Sequence, residues 1–288
     1  MEQTTPKIFH LWPFWFALAT LVLHLAVNLT GGYGYFRDEL YYIACSAHPD
    51  IGCVDQPPLS IWILAANRFL FGDSLFALRL LPALAASVTV LLAGLFARRL
   101  GGGTLAQALG ALAVALSPIM LGMGGYYSMN SLDILLWSIA FSLLLGLEER
   151  KEPRTWLSLG VVLGLGLLNK ISMGWLAAGI AVALIITPRR QWLKSPWPWI
   201  SAALALLIFS PFVIWNFTHE FAHLEFARRA AQLKYTSQTP LTFASGLVLI
   251  NNPLTLPLWL AGFYLLLREP RFRLVGIALA TVVAILLV

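Results

Sequence analysis

The sequence predicts an all-α polytopic membrane protein, and three observations lead to that class. Mean hydropathy is +0.79 and only 11% of the 288 residues are charged, outside the range of soluble globular chains. Apolar runs close to the ~20 residues needed to cross hydrocarbon recur along the whole length. Backbone amides in lipid must be satisfied within their own segment, so such runs fold as helices and not as open sheet.

Nine spans follow, at residues 9–29, 76–97, 104–123, 131–147, 156–169, 171–187, 197–215, 253–267 and 272–288. They make one transmembrane domain over 1–288, with no internal repeat and no low-complexity tract. The first run has one cation ahead of it, Lys7, and no small-residue cleavage site behind it. It reads as a retained first helix, not a signal peptide. With the N-terminus inside, the inside loops hold Lys7, Arg98, Arg99, Arg150, Lys151, Arg154, Arg189, Arg190, Lys194, Arg268, Arg271 and Arg273. The outside segments hold Arg37, Arg68, Arg79, Lys170, Arg228, Arg229 and Lys234. Twelve against seven is the positive-inside bias, so the basic pI reports topology and calls for no nucleic-acid partner.

The inside loops are short, basic and plain, whereas the outside segments carry the clustered acids. In the first outside loop, 30–75, "DELYYIACS" predicts a helix starting at Asp38. "PPLSIWILAANRFLFG" then starts at Pro57–Pro58 and is too short to cross. Asn67 and Arg68 near its end suit the interface plane. The loop therefore predicts two interfacial helices with Asp55–Gln56 in the turn between them. Cys45 and Cys53 fall in the same loop, and their spacing is compatible with a small disulfide or with two free thiols.

Each candidate carries two readings. Asp38 and Glu39 are either helix-capping acids or bases whose pKa is raised beside the bilayer. Asp55 is either a turn residue before Pro57 or a cavity acid. "GGYYSMNSLDILLW" sets Asp133 one turn past Asn130, at the outside mouth of the fourth span, as a cap or as a site residue. "GLGLLNKISMGW" isolates Asn169 and Lys170 between two apolar runs. The lysine either snorkels to headgroups or offers a cation to a phosphate.

Two rival functions have sequence support to weigh. "HEFAH" matches the H-E-x-x-H pattern of a metalloprotease, with His219 and His223 as zinc ligands on one helix face and Glu220 as base. It needs a third ligand, and His48 is the only other loop histidine. A transporter would place ionisable groups near the midplane or show a repeat. The span interiors are nearly free of charge, and His24, their main polar oddity, is expected to make a hydrogen bond within the bundle.

Four pieces occur in order on one face: the first-loop Asp38-Glu39, the stretch from His48 through Gly52 to "DQPPL", "GLGLLNK", and "PFVIWNFTHEF". Together they resemble the polyprenyl-phosphate-sugar-dependent glycosyltransferases of the GT-C class. The nearest group is the bacterial relatives of protein O-mannosyltransferases and aminoarabinose transferases, glycosyltransferase family 39. The likeness runs from about Leu11 to Leu267. It implies a GT-C type helical bundle in the cell (inner) membrane, with the active site on the periplasmic face and inversion at the sugar. It implies Asp38 as general base with Glu39 beside it, and Lys170 with Asn169 on the donor phosphate. Asp55, Tyr126, Tyr127, Asn130, Asp133, Asn216 and His219 would line the cavity. The donor would be a polyprenyl-phosphate sugar and the acceptor a hydroxyl of a lipid, glycan or protein. It fixes no cofactor, and a divalent metal is compatible. The long outside loop, 216–252, would roof the cavity, with Arg228, Arg229 and Lys234 available to anionic membrane headgroups or an anionic acceptor. Family members usually have more spans and often a soluble outside domain at the C-terminus. The last run here ends at "ATVVAILLV", so the expectation is a truncated or reduced member whose activity is itself in question.

Overall fold

Over its described residues, each predicted span coincides with one or two helices in the computed structural model, which describes residues 12–30, 32–150, 152–233 and 239–287. Lys7, Lys151 and Lys234, residues 9–11 of the first predicted span and Val288 of the last lie outside them. The helices are α1 (Trp12–Thr30), α2 (Arg37–Ala47), α3 (Leu59–Phe71), α4 (Leu75–Arg99), α5 (Thr104–Ala115), α6 (Pro118–Met123) and α7 (Met129–Arg150). They continue as α8 (Pro153–Asn169), α9 (Met173–Ile186), α10 (Trp197–Thr218), α11 (Ala222–Leu233), α12 (Pro240–Ile250), α13 (Leu256–Arg268) and α14 (Arg273–Leu287). No strand occurs among the described residues.

Four helices are long and apolar enough to cross a membrane alone: Trp12–Thr30, Leu75–Arg99, Met129–Glu149 and Trp197–Thr218. Only 22% of the apolar window of the last is buried inside the protein, which leaves most of it to face lipid. This is a multi-pass membrane protein with an all-α fold. The predicted span 104–123 is divided, because Pro118 lacks the N–H to continue α5 and Ser117 opens α6 by accepting the Met120 amide. Helix α12 and the segment Pro253–Arg268 form a further pair bent by 95°.

Helices in lipid gain nothing from hiding apolar surface, so close packing through small residues holds them together. Three helix pairs show this. A Cβ at Gly94 of α4 would fall 2.3 Å from the Pro13 ring of α1. One at Gly160 of α8 would fall 2.6 Å from the Ser201 carbonyl of α10, and one at Gly164 would fall 2.7 Å from Ile208. One at Gly179 of α9 would meet the Ala278 carbonyl of α14 at 2.5 Å. The largest core joins α7, α8, α9 and α14, built from Leu144, Leu159, Met173, Leu176, Ile180, Leu274 and their neighbours.

The alternating helices give the bundle two chemically different ends. One gathers the C-termini of α4, α7, α9 and α13, where Arg99 pairs with Glu149 at 2.9 Å and Arg189 pairs with Glu148. The other gathers the exit of α1, the starts of α4, α7 and α9, and the ends of α8 and α10. Helices α2 and α3 lie at this second end, as the sequence predicts, with Asp55–Gln56 in the connection between them. The buried face of α3 is Ser60, Ile61, Leu64 and Asn67, while Phe69, Leu70 and Phe71 point out. Asn67 departs from its expected place at the interface: it is buried and donates to the Ala77 carbonyl at 2.9 Å, tying α3 to α4. Arg68 folds back onto α2, donating to the Ile43 carbonyl and to Ser46.

His24 departs from expectation too. It is buried, but its Nε2 has no hydrogen-bond partner among the described residues, and it lies where a Cβ at Gly124 would sit 2.5 Å away.

The α8–α10 contact yields a test. Gly164→Leu should cost about 1–3 kcal/mol by overpacking and lower the melting temperature in detergent. Gly246→Ala, where an added Cβ meets nothing within 4 Å, should not lower it.

Candidate active site

The adjacent acids Asp38 and Glu39 meet opposite fates. On a helix, neighbours in sequence point about 100° apart, and α2 turns Glu39 inward along with Tyr42 and Ser46. Glu39 is wholly buried and receives both arms of Arg79, with Nε donating to Oε1 at 2.9 Å and Nη2 to Oε2 at 2.7 Å. Its oxygens also accept the Phe36 amide at 2.8 Å and the Tyr127 amide at 2.9 Å. The remaining donors of Arg79 reach the carbonyls of Tyr33 and Gly34. Glu39 is thus a structural acid, which corrects the catalytic role the sequence suggested: its carboxylate faces no open space. Its carboxylate caps the start of α2 through the Phe36 amide and adds a buried ion pair.

Asp38 stays open. Its side chain is 41% exposed and takes a single ion-pair contact, from Arg37 Nε at 3.2 Å. Nearby stands Tyr126, its ring 4.5 Å from that of Phe36. Burial raises the Tyr126 hydroxyl pKa, and the Asp38 charge raises it further. Tyr127, expected in the cavity, is instead fully buried, with its hydroxyl donating to the Ser60 carbonyl at 2.5 Å. It is packing, because an aromatic of that size beside Tyr42 fills the space between α2, α3 and α4.

A second group forms where α7 begins and α8 turns into α9. The Lys170 ammonium donates to Asn130 Oδ1 at 2.8 Å and lies 3.7 Å from Asp133 Oδ2. Ser172 donates to the same Asp133 oxygen at 3.2 Å. Asn169, expected to bind phosphate beside Lys170, is fully buried and donates to the Met129 carbonyl at 2.9 Å. It locks the turn that presents Lys170, since a buried amide without a partner would be costly. The lysine keeps 32% of its side chain exposed, so it is held but not enclosed.

The third group joins the first loop to the end of α10. Tyr41 donates to Asp55 Oδ1 at 2.6 Å, and burial together with the Asp55 charge raises the tyrosine pKa. Asp50, which sequence reasoning passed over, accepts from Trp215 Nε1 at 3.1 Å, and its carbonyl accepts from Trp62. Gly52 is needed for this approach, because a Cβ there would lie 2.4 Å from the Trp215 indole. His219 stacks on Trp215 at 4.3 Å, and Asn216 donates back to the Phe212 carbonyl of its own helix.

The H-E-x-x-H reading fails on backbone geometry. His219 ends α10, Glu220 and Phe221 take positive φ of 52° and 58°, and α11 starts only at Ala222. The two histidines therefore do not share a helix face. His219 Nδ1 lies 2.9 Å from the Trp215 carbonyl, and His223 Nδ1 lies 2.9 Å from the Val54 carbonyl. Among the described residues no three His, Cys, Asp or Glu are grouped to hold a metal.

The family described as dolichyl-phosphate-mannose-protein mannosyltransferase matches residues 55–215 of the chain. The chain belongs to this family. An undecaprenyl phosphate-alpha-4-amino-4-deoxy-L-arabinose arabinosyl transferase of Pseudomonas fluorescens is 28% identical over 172 residues, 58% of this chain and 29% of that protein. Lipid A galacturonosyltransferase RgtD of Rhizobium johnstonii is 29% identical over 189 residues, 65% of this chain and 39% of that protein. The chain thus spans well under half the length of these relatives. The crystal structure of ArnT from Cupriavidus metallidurans in the apo state superposes with a TM-score of 0.64 at 16% identity, over 93% of this chain and 58% of that one. At that identity the likeness is one of fold, and it places the helical bundle in the same architecture.

Removing Arg79 tests the buried pair. Arg79→Met should cost about 3–5 kcal/mol, because it leaves Glu39 charged and unpaired in the interior. Glu39→Leu combined with Arg79→Met should recover part of that loss in a detergent melting curve. Recovery should be incomplete, since the Phe36 and Tyr127 amides still lack their acceptor.

Proposed function

We propose that this protein transfers a sugar from a polyprenyl-phosphate donor to an acceptor hydroxyl, at the end of the bundle that carries Asp38 and Lys170. The observation that carries the reading is Lys170 itself. It is a half-exposed cation, oriented by Asn130 and Asp133 at the mouth of a membrane span. The donor's apolar tail would remain in the bilayer while its phosphate meets this ammonium.

Asp38, open and near Tyr126, takes the proton from the acceptor hydroxyl. The freed oxygen forms a bond to the anomeric carbon as the bond from that carbon to the phosphate oxygen breaks. Negative charge grows on the departing phosphate, and a preoriented cation stabilises it more in the transition state than in the ground state. A single displacement of this kind inverts the anomeric centre. Asp55, Tyr126, Asn216 and His219 stand at the same end and would contact the sugar or the acceptor.

Family membership supports the reaction class. The names of the relatives, an arabinosyl transferase using undecaprenyl phosphate and a lipid A galacturonosyltransferase, favour a lipid-borne acceptor over a protein. The basic end of the bundle would face the cytoplasm, with the site on the outer face of the cell (inner) membrane. The nine helical segments would then each cross or enter the bilayer.

Membranes containing the protein, supplied with radiolabelled polyprenyl-phosphate sugars and extracted glycolipids, test this directly. Asp38→Asn should lower transfer by about 10²–10⁴-fold, as expected for loss of a general base. Lys170→Ala should lower it by about 10²–10³-fold, as expected for loss of one transition-state donor. Transfer at the wild-type rate by Asp38→Asn, at equal amounts of folded protein, would remove Asp38 from the mechanism.

A further inference from the structure

The first loop contains a pair of half-buried thiols that the proposed chemistry does not use. Both Cys45 and Cys53 are free in the structure. Two side-chain bonds bring the connection after α2 back onto that helix: Tyr41 donates to Asp55 and Tyr42 donates to Gln56. Cys45 lies one helical turn beyond Tyr41 on the same face, and Cys53 lies two residues before Asp55. The Tyr41 bond thus holds the segment that carries Cys53 against the side of α2 that carries Cys45. Both pack on one cluster formed by Tyr42, Ile61, Leu64, Leu78 and Tyr127, and the two thiols interact directly.

We infer that Cys45 and Cys53 close an intramolecular disulfide that staples the Asp50–Asp55 loop to α2. The ring would enclose Asp50 and Gly52, the residues that receive Trp215 from α10. A bond here would therefore hold the contact between the first loop and the end of α10, beside the open acids.

The chemistry needs an oxidant, of the class of protein or small-molecule disulfides. Burial and the neighbouring Cys45 push the Cys53 thiol up to about 12, and the exchange is written with Cys45 attacking first. The Cys45 thiolate bonds to one sulfur of the oxidant, and the oxidant's other sulfur leaves as a thiolate. Cys53 then gives its proton to solvent and attacks Cys45 Sγ, expelling the second oxidant sulfur. Two protein thiols become one disulfide while one oxidant disulfide becomes two thiols, so electrons and protons balance. In the cell, this site would be oxidised if the loop lies on the outer face, as proposed above. The test does not depend on that placement or on sugar transfer.

The purified full chain in detergent is reduced, freed of reductant, and equilibrated with oxidised glutathione. It is then quenched in acid, labelled with N-ethylmaleimide under denaturing conditions and weighed intact. The reduced protein should take two labels. The oxidised protein should take none and be lighter by two hydrogens, and its digest should contain a peptide linked between Cys45 and Cys53. Cys45→Ser and Cys53→Ser should each end as a lasting glutathione adduct. Tyr41→Phe, which releases the return of the loop, should slow closure several-fold. Two labels on the oxidised wild type, lasting glutathione adducts on it, or disulfides between chains would each overturn the inference. Closure in Tyr41→Phe at the wild-type rate would overturn the part given to the Tyr41–Asp55 bond in bringing the two cysteines together.

Discussion

The ion pair of Glu39 and Arg79 organises the whole site-bearing end of the molecule. Taking both charges out of water is expensive, and a buried pair returns that cost only when every remaining donor and acceptor is satisfied. Here they are. Arg79 comes from the start of α4, and its guanidinium spans the Glu39 carboxylate and the carbonyls of Tyr33 and Gly34. Glu39 in turn takes the amides of Phe36 and Tyr127. One polar knot thus joins the segment after α1, the start of α2, the start of α4 and the segment before α7. Four pieces far apart in sequence are held to one geometry, and Asp38 is carried on one of them.

The remaining contacts extend this frame outward. Tyr42 accepts the Met129 amide, so α2 also fixes the start of α7. Asn169 bonds to the Met129 carbonyl, which brings the α8–α9 turn to the same place. Lys170 then has its position set by backbone several residues away from its own charge. The division of labour is a physical one. Glu39, Asn169 and Tyr127 are buried and satisfied, and they shape the end of the bundle. Asp38, Lys170 and Tyr126 are partly open.

Much of this was legible in the sequence, for a reason that applies to lipid more than to water. Long apolar runs have one way to satisfy their backbone, so the helices at 76–97, 131–147 and 197–215 could be placed to within a few residues. The two short helices of the first loop were legible from Asp38 and from Pro57–Pro58. The roles of the paired acids were not. Nothing local tells Glu39 from Asp38, because the difference is made by Arg79, forty residues away. The "HEFAH" stretch misled for a similar reason. A helix was the simplest local conformation, but the chain turns at Glu220 and Phe221 so that Trp215, His219 and His223 can dock on the Asp50–Val54 segment. Asp50 left no local signal, since its partner Trp215 lies at the far end of α10.

What the sequence by itself determined was the solvent, the class of fold and the family. Those follow from composition, run length, charge asymmetry and short motifs, all of which act locally or sum along the chain. The tertiary structure alone decided which polar side chains stay open and which are spent on holding helices together. Burial and hydrogen-bond satisfaction are properties of neighbours in space. A carboxylate becomes structural or available only once the groups around it are in place.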